Sequence, residues 1–279
     1  MDMNPNSYRD VLERIEAALH KALEVFSKFT PGEIEAEYKA GHDPVTEADR
    51  AVDTVLRHAL LRDGEGWLSE ESADDLSRLQ KSCVWVVDPL DGTREFVQGI
   101  PEWCASIGYV ENGRPVAGGI CNPATNEVVL GSISAGVTYN GKPSLASSRD
   151  NFQGALVLAS RSEVKRGEWK QFGDTPLNIQ PMGSVAYKLA RVAAGLADAT
   201  FTLTPKNEWD VAAGAALVES AGGTVRTLDN RPLQCNNRSP LLSGLVASGA
   251  GLYPSLQSVI AEHRARESAA AAGEKSRSR

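Results

Sequence analysis

Two aspartates, Asp88 and Asp91, follow a short apolar run, Cys83-Val84-Trp85-Val86-Val87. The run is rich in β-branched residues and predicts a buried strand, so both carboxylates emerge at the lip of a sheet, where active-site groups are common. They flank a Pro-Leu turn and can point at a common spot, and the carbonyl of Leu90 can add a third oxygen. Because Mg²⁺ prefers such oxygen ligands, the pattern predicts a magnesium site. The competing interpretation is an acidic turn that caps a helix.

The next two residues, Gly92 and Thr93, are suited to holding an anion. Glycine lets the backbone approach a ligand closely, and free N–H groups at the start of a helix attract phosphate. The hydroxyl of Thr93 can also orient a water. The run from Asp88 to Thr93 therefore predicts a metal beside a phosphate.

Three further carboxylates have ordinary structural explanations when each is taken alone. Glu70 belongs to a polar Ser-Glu-Glu-Ser segment that is typical of a solvated surface, although the apolar pair before it suggests a strand that delivers Glu70 inward. Asp49 forms a capping box with Thr46, where a negative charge favours the helix dipole. Asp210 is suited to an N-cap, and the small residues 212–214 indicate that its helix packs closely against a neighbour.

Helices and strands alternate along the chain, which favours a layered α/β or α+β architecture. Apolar spacing predicts helices over 7–28, 46–62, 184–195 and 210–220, and strands over 83–87, 155–160 and 199–203, with further strands between 104 and 140. The polar stretch 143–153 is the candidate domain boundary, and Tyr139-Asn140-Gly141-Lys142 is typical of a hairpin turn.

Composition excludes several function classes. The net charge is -7 and the pI is about 5.3, so a dominant nucleic-acid or anionic-membrane surface is not expected. No apolar run approaches the ~20 residues that cross a bilayer, and the amino terminus lacks the features of a secretory signal, which predicts a cytoplasmic protein. The four cysteines form no CxxC pair and are expected to be buried rather than disulfide-bonded. The four histidines show no zinc-ligand spacing.

Together these segments resemble the inositol monophosphatase family, which includes bisphosphate nucleotidases and some sugar and histidinol phosphatases. The resemblance spans roughly residues 10–250, and its signatures fall in the family's order. They are Lys39 followed by Asp43-Pro-Val-Thr46-x-x-Asp49, Ser69-Glu70-Glu71-Ser72, Trp85-Val-Val-Asp88-Pro-Leu-Asp91-Gly92-Thr93, Trp209-Asp210-Val-Ala-Ala-Gly214 and, more weakly, Gly183-Ser184.

The resemblance implies a role for each site residue. The metal ligands are Glu70, Asp88, Asp91, Asp210 and the carbonyl of Leu90, which would hold two or three Mg²⁺ ions. Thr93 with Glu70 positions the attacking water, while Asp49, with Thr46 near it, organises a further water. The substrate is expected to contact Asp91, Gly92, Thr93, Gly183, Ser184 and Asp210. Direct in-line attack by water without a phosphoenzyme, and inhibition by lithium, follow from the same resemblance.

The implied fold is a layered αβαβα sugar-phosphatase-like fold of the α+β class, with two mixed helix and sheet subdomains. The sequence divides into residues 1–150, which carry most metal ligands, residues 151–267, which carry Asp210 and substrate contacts, and a tail, 268–279. The tail is of low complexity and is predicted to be disordered. Dimers are common in the family, so the resemblance allows a homodimer.

The sequence predicts the reaction more sharply than the substrate. Arg94-Glu95-Phe96 resembles the bisphosphate nucleotidases, whereas residues 99–103 and 139–142 resemble the inositol and histidinol branches. Inositol-specific members place a glutamate near Thr202, where this chain has threonine. A 3′(2′),5′-bisphosphate nucleotide is therefore the leading substrate, followed by inositol monophosphate and then histidinol or sugar phosphates. Arg94, Lys188 and Lys206 are candidates to contact a second phosphate, or are solvated surface. A non-catalytic metabolite-binding relative is the alternative of another class.

Overall fold

The computed structural model describes residues 8–38 and 44–277, with side chains up to residue 265. Lys39 and Asp43, and the ends of the chain before residue 8 and after residue 277, lie outside the described residues. The seven helices of the described part are α1 (Arg9–Phe26), α2 (Glu47–Leu60), α3 (Thr93–Val97), α4 (Arg161–Arg166), α5 (Val185–Ala193), α6 (Glu208–Ser220) and α7 (Tyr253–Arg277). Short 3-10 helices span Ser77–Gln80 and Lys170–Phe172.

Within the described chain, the strands form two large sheets and two small antiparallel pairs. The first pair is β1 (Glu37–Tyr38) with β2 (Pro44–Val45). The seven-stranded sheet follows, in chain order and side by side: β3 (Gly66–Ser69), β4 (Cys83–Asp91), β5 (Cys104–Glu111), β6 (Arg114–Asn122), β7 (Glu127–Ser132), β8 (Gly136–Tyr139) and β9 (Lys142–Ser144). Strands β3 and β4 are parallel, and the remaining neighbours are antiparallel.

The second sheet contains five strands of the described chain. They are β10 (Leu156–Ser160), β11 (Asn178–Met182), β12 (Ala199–Thr202), β14 (Gly223–Thr227) and β16 (Leu245–Gly249), in the spatial order β11-β10-β12-β16-β14. The other small pair is β13 (Lys206–Asn207) with β15 (Leu241–Leu242). Residues 145–155 connect the two large sheets. The predicted boundary near residue 150 falls in that connection, and the division into subdomains stays a prediction.

Alternation along the strands explains the layers. In β4, Val84 and Val86 face α5 and α6, whereas Trp85 and Val87 face α1 and α2. Helices α5 and α6 also contact the second sheet, and α7 covers its other face with Leu256 and Ile260. The order of layers is therefore helix, sheet, helix, sheet, helix, which confirms the predicted αβαβα arrangement.

Small residues let α6 pack closely against the first sheet and α5. A Cβ atom added at Gly118 of β6 would lie 2.6 Å from the carbonyl oxygen of Ala213, and one added at Gly214 would lie 2.3 Å from Leu189. The prediction of close packing at residues 212–214 is confirmed. This closeness brings the N-terminus of α6 to the edge of the sheet where β3 and β4 end.

The helix ends refine two expectations. The capping box of Thr46 and Asp49 is present at the start of α2. Asp210 is not an N-cap: Asn207 holds that position, and Asp210 is the third helical residue, whose carboxylate accepts the Asn207 N–H at 3.1 Å. The extended backbone of Asn207, in β13, places the N-cap three residues earlier than predicted.

The carboxyl end of the chain differs from its prediction. Helix α7 continues to Arg277, through most of the tail for which low complexity predicts disorder. The physical reason is the run of four alanines at 269–272, because alanine has the highest helix propensity.

Among the described residues, no helix is long and apolar enough to span a membrane. The four cysteines are unpaired, and all but Cys83 are fully buried, as predicted.

Candidate active site

A bulge in β4 aims two aspartates at one place. Asp88 pairs with Ser106 and Asp91 with Cys104, so three steps along β4 match two steps along β5. Pro89, between them, has no N–H to donate to the ladder. Side chains normally alternate across a strand, and the extra residue brings Asp88 and Asp91 to the same cavity.

Three of the carboxylates that line this cavity converge on one another. One carboxylate oxygen from each of Glu70, Asp88 and Asp210 lies within 4.8 Å of the other two. Glu70 directly follows β3, and its N–H donates to the carbonyl of Val87 in the parallel strand β4 at 3.3 Å. The carboxyl ends of parallel strands meet at the same edge, and α6 delivers Asp210 to that edge. Of the predicted metal ligands, Asp91 and Leu90 also line the cavity.

Asp91 links β4 to the start of α5. Its Oδ2 accepts the Ser184 hydroxyl at 2.7 Å and the Ala186 N–H at 2.6 Å, both at the start of α5. Ser184 is the N-cap of that helix and has a positive φ of 52°, a conformation that a serine rarely adopts. The predicted site residue Ser184 therefore lies against a predicted metal ligand, and its strained backbone is fixed there by hydrogen bonds.

A chain of hydrogen bonds links α2 to the start of α3. The N–H and hydroxyl of Thr46 both donate to Asp49 Oδ2, at 2.8 and 2.6 Å. The Thr93 hydroxyl lies 3.0 Å from Asp49 Oδ1 and 3.0 Å from the Leu90 carbonyl oxygen. A hydroxyl has one proton, so a Thr93 that donates to either acceptor keeps its lone pairs for another donor such as water.

The electrostatics of the cluster are unfavourable without cations. Burial, followed by the charges of Glu70 and Asp91, raises the pKa of Asp88 well above its usual range. Burial also raises the pKa of Asp91 and of Asp49, against the hydrogen bonds that they accept. Burial, with the charge of Asp91 next, raises the pKa of Asp210 well above normal. The group is therefore poised to take up either protons or metal cations.

Two predicted substrate-binding glycines have specific places. Gly92 has φ of 99°, and a Cβ added there would lie 2.8 Å from the Glu102 carbonyl oxygen, so only glycine fits this turn. Gly183 lines the cavity, but its N–H donates to Glu102 Oε2 at 2.6 Å. Its backbone donor is thus engaged within the protein.

Basic side chains also line the cavity, and we call them its basic wall. They include all three cations singled out by sequence, which are Arg94, Lys188 and Lys206. Arg161, which sequence reasoning missed, lines it too and is held by Glu102 through contacts of 2.6 Å. The signal available in the sequence was an arginine that directly follows the predicted strand 155–160. Its partner Glu102 lies 59 residues away, so the sequence did not reveal the pair. The cavity, of about 300 Å³, is therefore lined by both acidic and basic side chains.

Comparisons with known proteins point to one family. The sequence model of the inositol monophosphatase family matches residues 7–269. An inositol monophosphatase of Mesembryanthemum crystallinum is 32% identical over 77% of this chain and 84% of its own length. The Nus factor SuhB of Xylella fastidiosa is 35% identical over 80% of this chain and 83% of its own. The structure of an inositol monophosphatase from Anabaena is 26% identical, with a TM-score of 0.78, covering 91% of this chain and 96% of that one.

Proposed function

This chain belongs to the inositol monophosphatase family, and we propose from that premise that its acidic cluster binds Mg²⁺ and its basic wall binds a second phosphate of a nucleotide bisphosphate. Members of the family are metal-dependent phosphatases, so the chain is a phosphoric monoester hydrolase that acts on small phosphorylated substrates. The observation that carries the proposal is one cavity that is lined both by the converging carboxylates and by Lys188, Lys206 and Arg161.

The donor set fits magnesium. Glu70, Asp88 and Asp210 converge within 4.8 Å and offer only oxygen. Mg²⁺ takes one or two carboxylates together with water and substrate phosphate. Asp91 and the carbonyl of Leu90 complete the proposed ligand set, for two or three ions. When bound, the metal neutralises the phosphate charge and lowers the pKa of water.

The protein groups around the cluster orient the reactants. Asp49 holds the Thr93 hydroxyl, and Thr93 with Glu70 positions the attacking water. The Thr46 N–H and hydroxyl fix Asp49 in turn, so its carboxylate cannot rotate away. Each step along this chain is a hydrogen bond of 3.0 Å or shorter, so the Thr93 hydroxyl is held in place to orient the attacking water.

The phosphate is held at the turn after β4. Gly92 gives the backbone its left-handed turn there, and Gly92 and Thr93 are assigned to the phosphate through their N–H groups. Asp91, Ser184 and Asp210 line the same cavity and border the substrate. Gly183 contributes its small size, since its N–H is engaged by Glu102.

Inositol monophosphate is the second candidate substrate. It is supported by relatives that carry the name inositol monophosphatase at 32% identity and above 75% coverage. The basic wall favours the nucleotide bisphosphate. Lys206 and Arg161 already pair with Glu163 and Glu102, and a second phosphate could accept further charge-assisted hydrogen bonds from these cations that a neutral inositol ring would not form.

One assay tests the function and ranks the substrates. Phosphate release is measured in Mg²⁺ with adenosine 3′,5′-bisphosphate, inositol 1-phosphate, histidinol phosphate and fructose 1,6-bisphosphate, each with and without lithium. We expect turnover, fastest for the nucleotide, and its loss in the Asp91→Asn variant, which keeps the fold. No release from any substrate would favour a metabolite-binding protein, and near-normal turnover by Asp91→Asn would remove Asp91 from the ligand set.

A further inference from the structure

A buried carboxylate stands behind the basic wall of the cavity. Glu163 of α4 is 1% exposed. Its Oε1 accepts the hydroxyls of Thr202 at 2.6 Å and Thr204 at 2.7 Å, and lies 3.2 Å from Lys206 Nζ. Its Oε2 accepts the indole N–H of Trp169 at 3.1 Å. Four donors therefore converge on one side chain that does not itself line the cavity.

This carboxylate is held in its charged form. Burial acts to raise the pKa of Glu163, but the hydroxyl donors and the charge of Lys206 outweigh burial and lower the pKa below its usual value. A buried charge is costly unless it is paired and hydrogen-bonded, and here both conditions are met. Because its acceptor sites are filled from within, Glu163 serves the protein rather than a substrate hydroxyl.

The consequence falls on Lys206. A lysine ordinarily samples many rotamers on its flexible stem, whereas Lys206 Nζ is tied to Glu163 and also donates to the Thr204 hydroxyl at 3.2 Å. Its side chain keeps 17% of its surface exposed and lines the cavity. Fixing the ammonium in advance reduces the entropy that a bound anion would have to offset.

Lys188 has a different place in the same wall. It is 3% exposed, and its Nζ donates to the carbonyls of Ser184 at 2.7 Å and Met182 at 3.4 Å. Burial lowers the pKa of Lys188 to about 8, with the charge of Asp91 acting the other way. Lys188 thus offsets the buried aspartate beside it, and Lys206 is the more accessible ammonium.

We infer that Lys206, fixed by Glu163, contacts a second anionic group of the substrate, and that Glu163 is a positioning residue for that contact. The inference rests on the proposed function, since it presumes that the first phosphate sits at the acidic cluster. Lys206, Asp91 and Asp210 line the same cavity, so one small molecule can contact both Lys206 and the acidic cluster.

A matched pair of substrates isolates the contact. Adenosine 3′,5′-bisphosphate and adenosine 3′-phosphate differ only in the second phosphate, and the ratio of their kcat/KM values is measured in Mg²⁺. A charge-assisted hydrogen bond predicts that Lys206→Met lowers this ratio by about 10-fold or more, mainly through KM. Lys165→Met is the control, because Lys165 is an exposed lysine on the same helix as Glu163 and its loss changes the charge equally. An unchanged ratio in Lys206→Met, or an equal fall in the control, overturns the inference.

The role of Glu163 has its own test. Glu163→Gln should lower the ratio, and adding it to Lys206→Met should lower the ratio no further, because Glu163 acts through Lys206. Thr204→Val removes one tether without unpairing a charge and should act in the same direction if Glu163→Gln does not fold. Additive effects overturn the positioning role. If the wild type hydrolyses neither nucleotide, the proposed function itself fails. That outcome differs from a changed ratio, because the ratio can be measured only when both nucleotides are hydrolysed.

Discussion

Replacing Asp88 by asparagine should stabilise the metal-free protein and destabilise it relative to the wild type in Mg²⁺. Asp88 is 2% exposed and shares the 4.8 Å cluster with Glu70 and Asp210. Asparagine keeps the shape and can still accept the Leu90 N–H through its own side-chain oxygen. The substitution therefore removes charge while preserving the local turn.

The magnitude follows from the geometry. At 4.8 Å and an effective dielectric constant of about 20, each pair of carboxylates repels by about 3 kcal/mol. The realised cost is smaller, because a carboxyl whose pKa rises past the solution pH takes up a proton instead. That exchange limits the cost of one aspartate at pH 7 to about 4 kcal/mol. We expect Asp88→Asn to gain about 2–4 kcal/mol in EDTA.

Chemical denaturation measures the free energy of unfolding with and without the metal. Wild type and variant are unfolded in urea with EDTA and with saturating Mg²⁺. The wild type should gain stability from the metal by mass action, whereas the variant should gain much less. If Asp88→Asn is less stable than the wild type in EDTA, or responds equally to Mg²⁺, then repulsion within the cluster is not what the metal relieves.

Three further predictions concern the stability of the fold. In EDTA the wild-type Tm should rise as the pH falls from 7 to about 5. The pKa values of Asp88 and Asp210 are raised in the folded state, which therefore binds more protons than the unfolded state and loses stability as the pH rises. A Tm that climbs with pH would contradict this reasoning. Glu65→Gln should cost about 3–5 kcal/mol of unfolding free energy, because it removes the carboxylate that pairs at 2.6 Å with the guanidinium of Arg14, which is 8% exposed. A loss below about 1 kcal/mol in urea would show that the pair is dispensable. Gly92→Ala should cost about 1–3 kcal/mol more unfolding free energy than Gly64→Ala. Both glycines have positive φ, but only a Cβ at position 92 would meet backbone, 2.8 Å from the Glu102 carbonyl oxygen. Equal losses of stability would attribute the effect to φ alone.

Local patterns were sufficient for the elements that carry the site. The apolar β-branched run predicted β4, and the Thr46 and Asp49 spacing predicted the capping box, because both depend on neighbours within a few residues. The hairpin at residues 139–142 has Asn140 and Gly141 at positive φ, as a tight turn of that type requires. For Asp210, sequence predicted the helix but placed the cap three residues late, because the extended pair of β13 with β15 sets the start.

Only the tertiary structure decided how the cavity is shared. The Asp88–Thr93 run supplied residue types suited to metal and phosphate, but their convergence with Glu70 and Asp210 depends on a parallel strand pair and on α6 packing against β6 through glycine. Arg161 with Glu102, and Glu163 with Lys206, join residues 59 and 43 positions apart, which no local periodicity reports. Sequence alone therefore determined the reaction class and named the acidic residues together with Lys188 and Lys206. The pairs of Arg161 with Glu102 and of Lys206 with Glu163, which bear on the substrate, required the folded chain, because long-range pairing of charges is fixed by packing rather than by spacing.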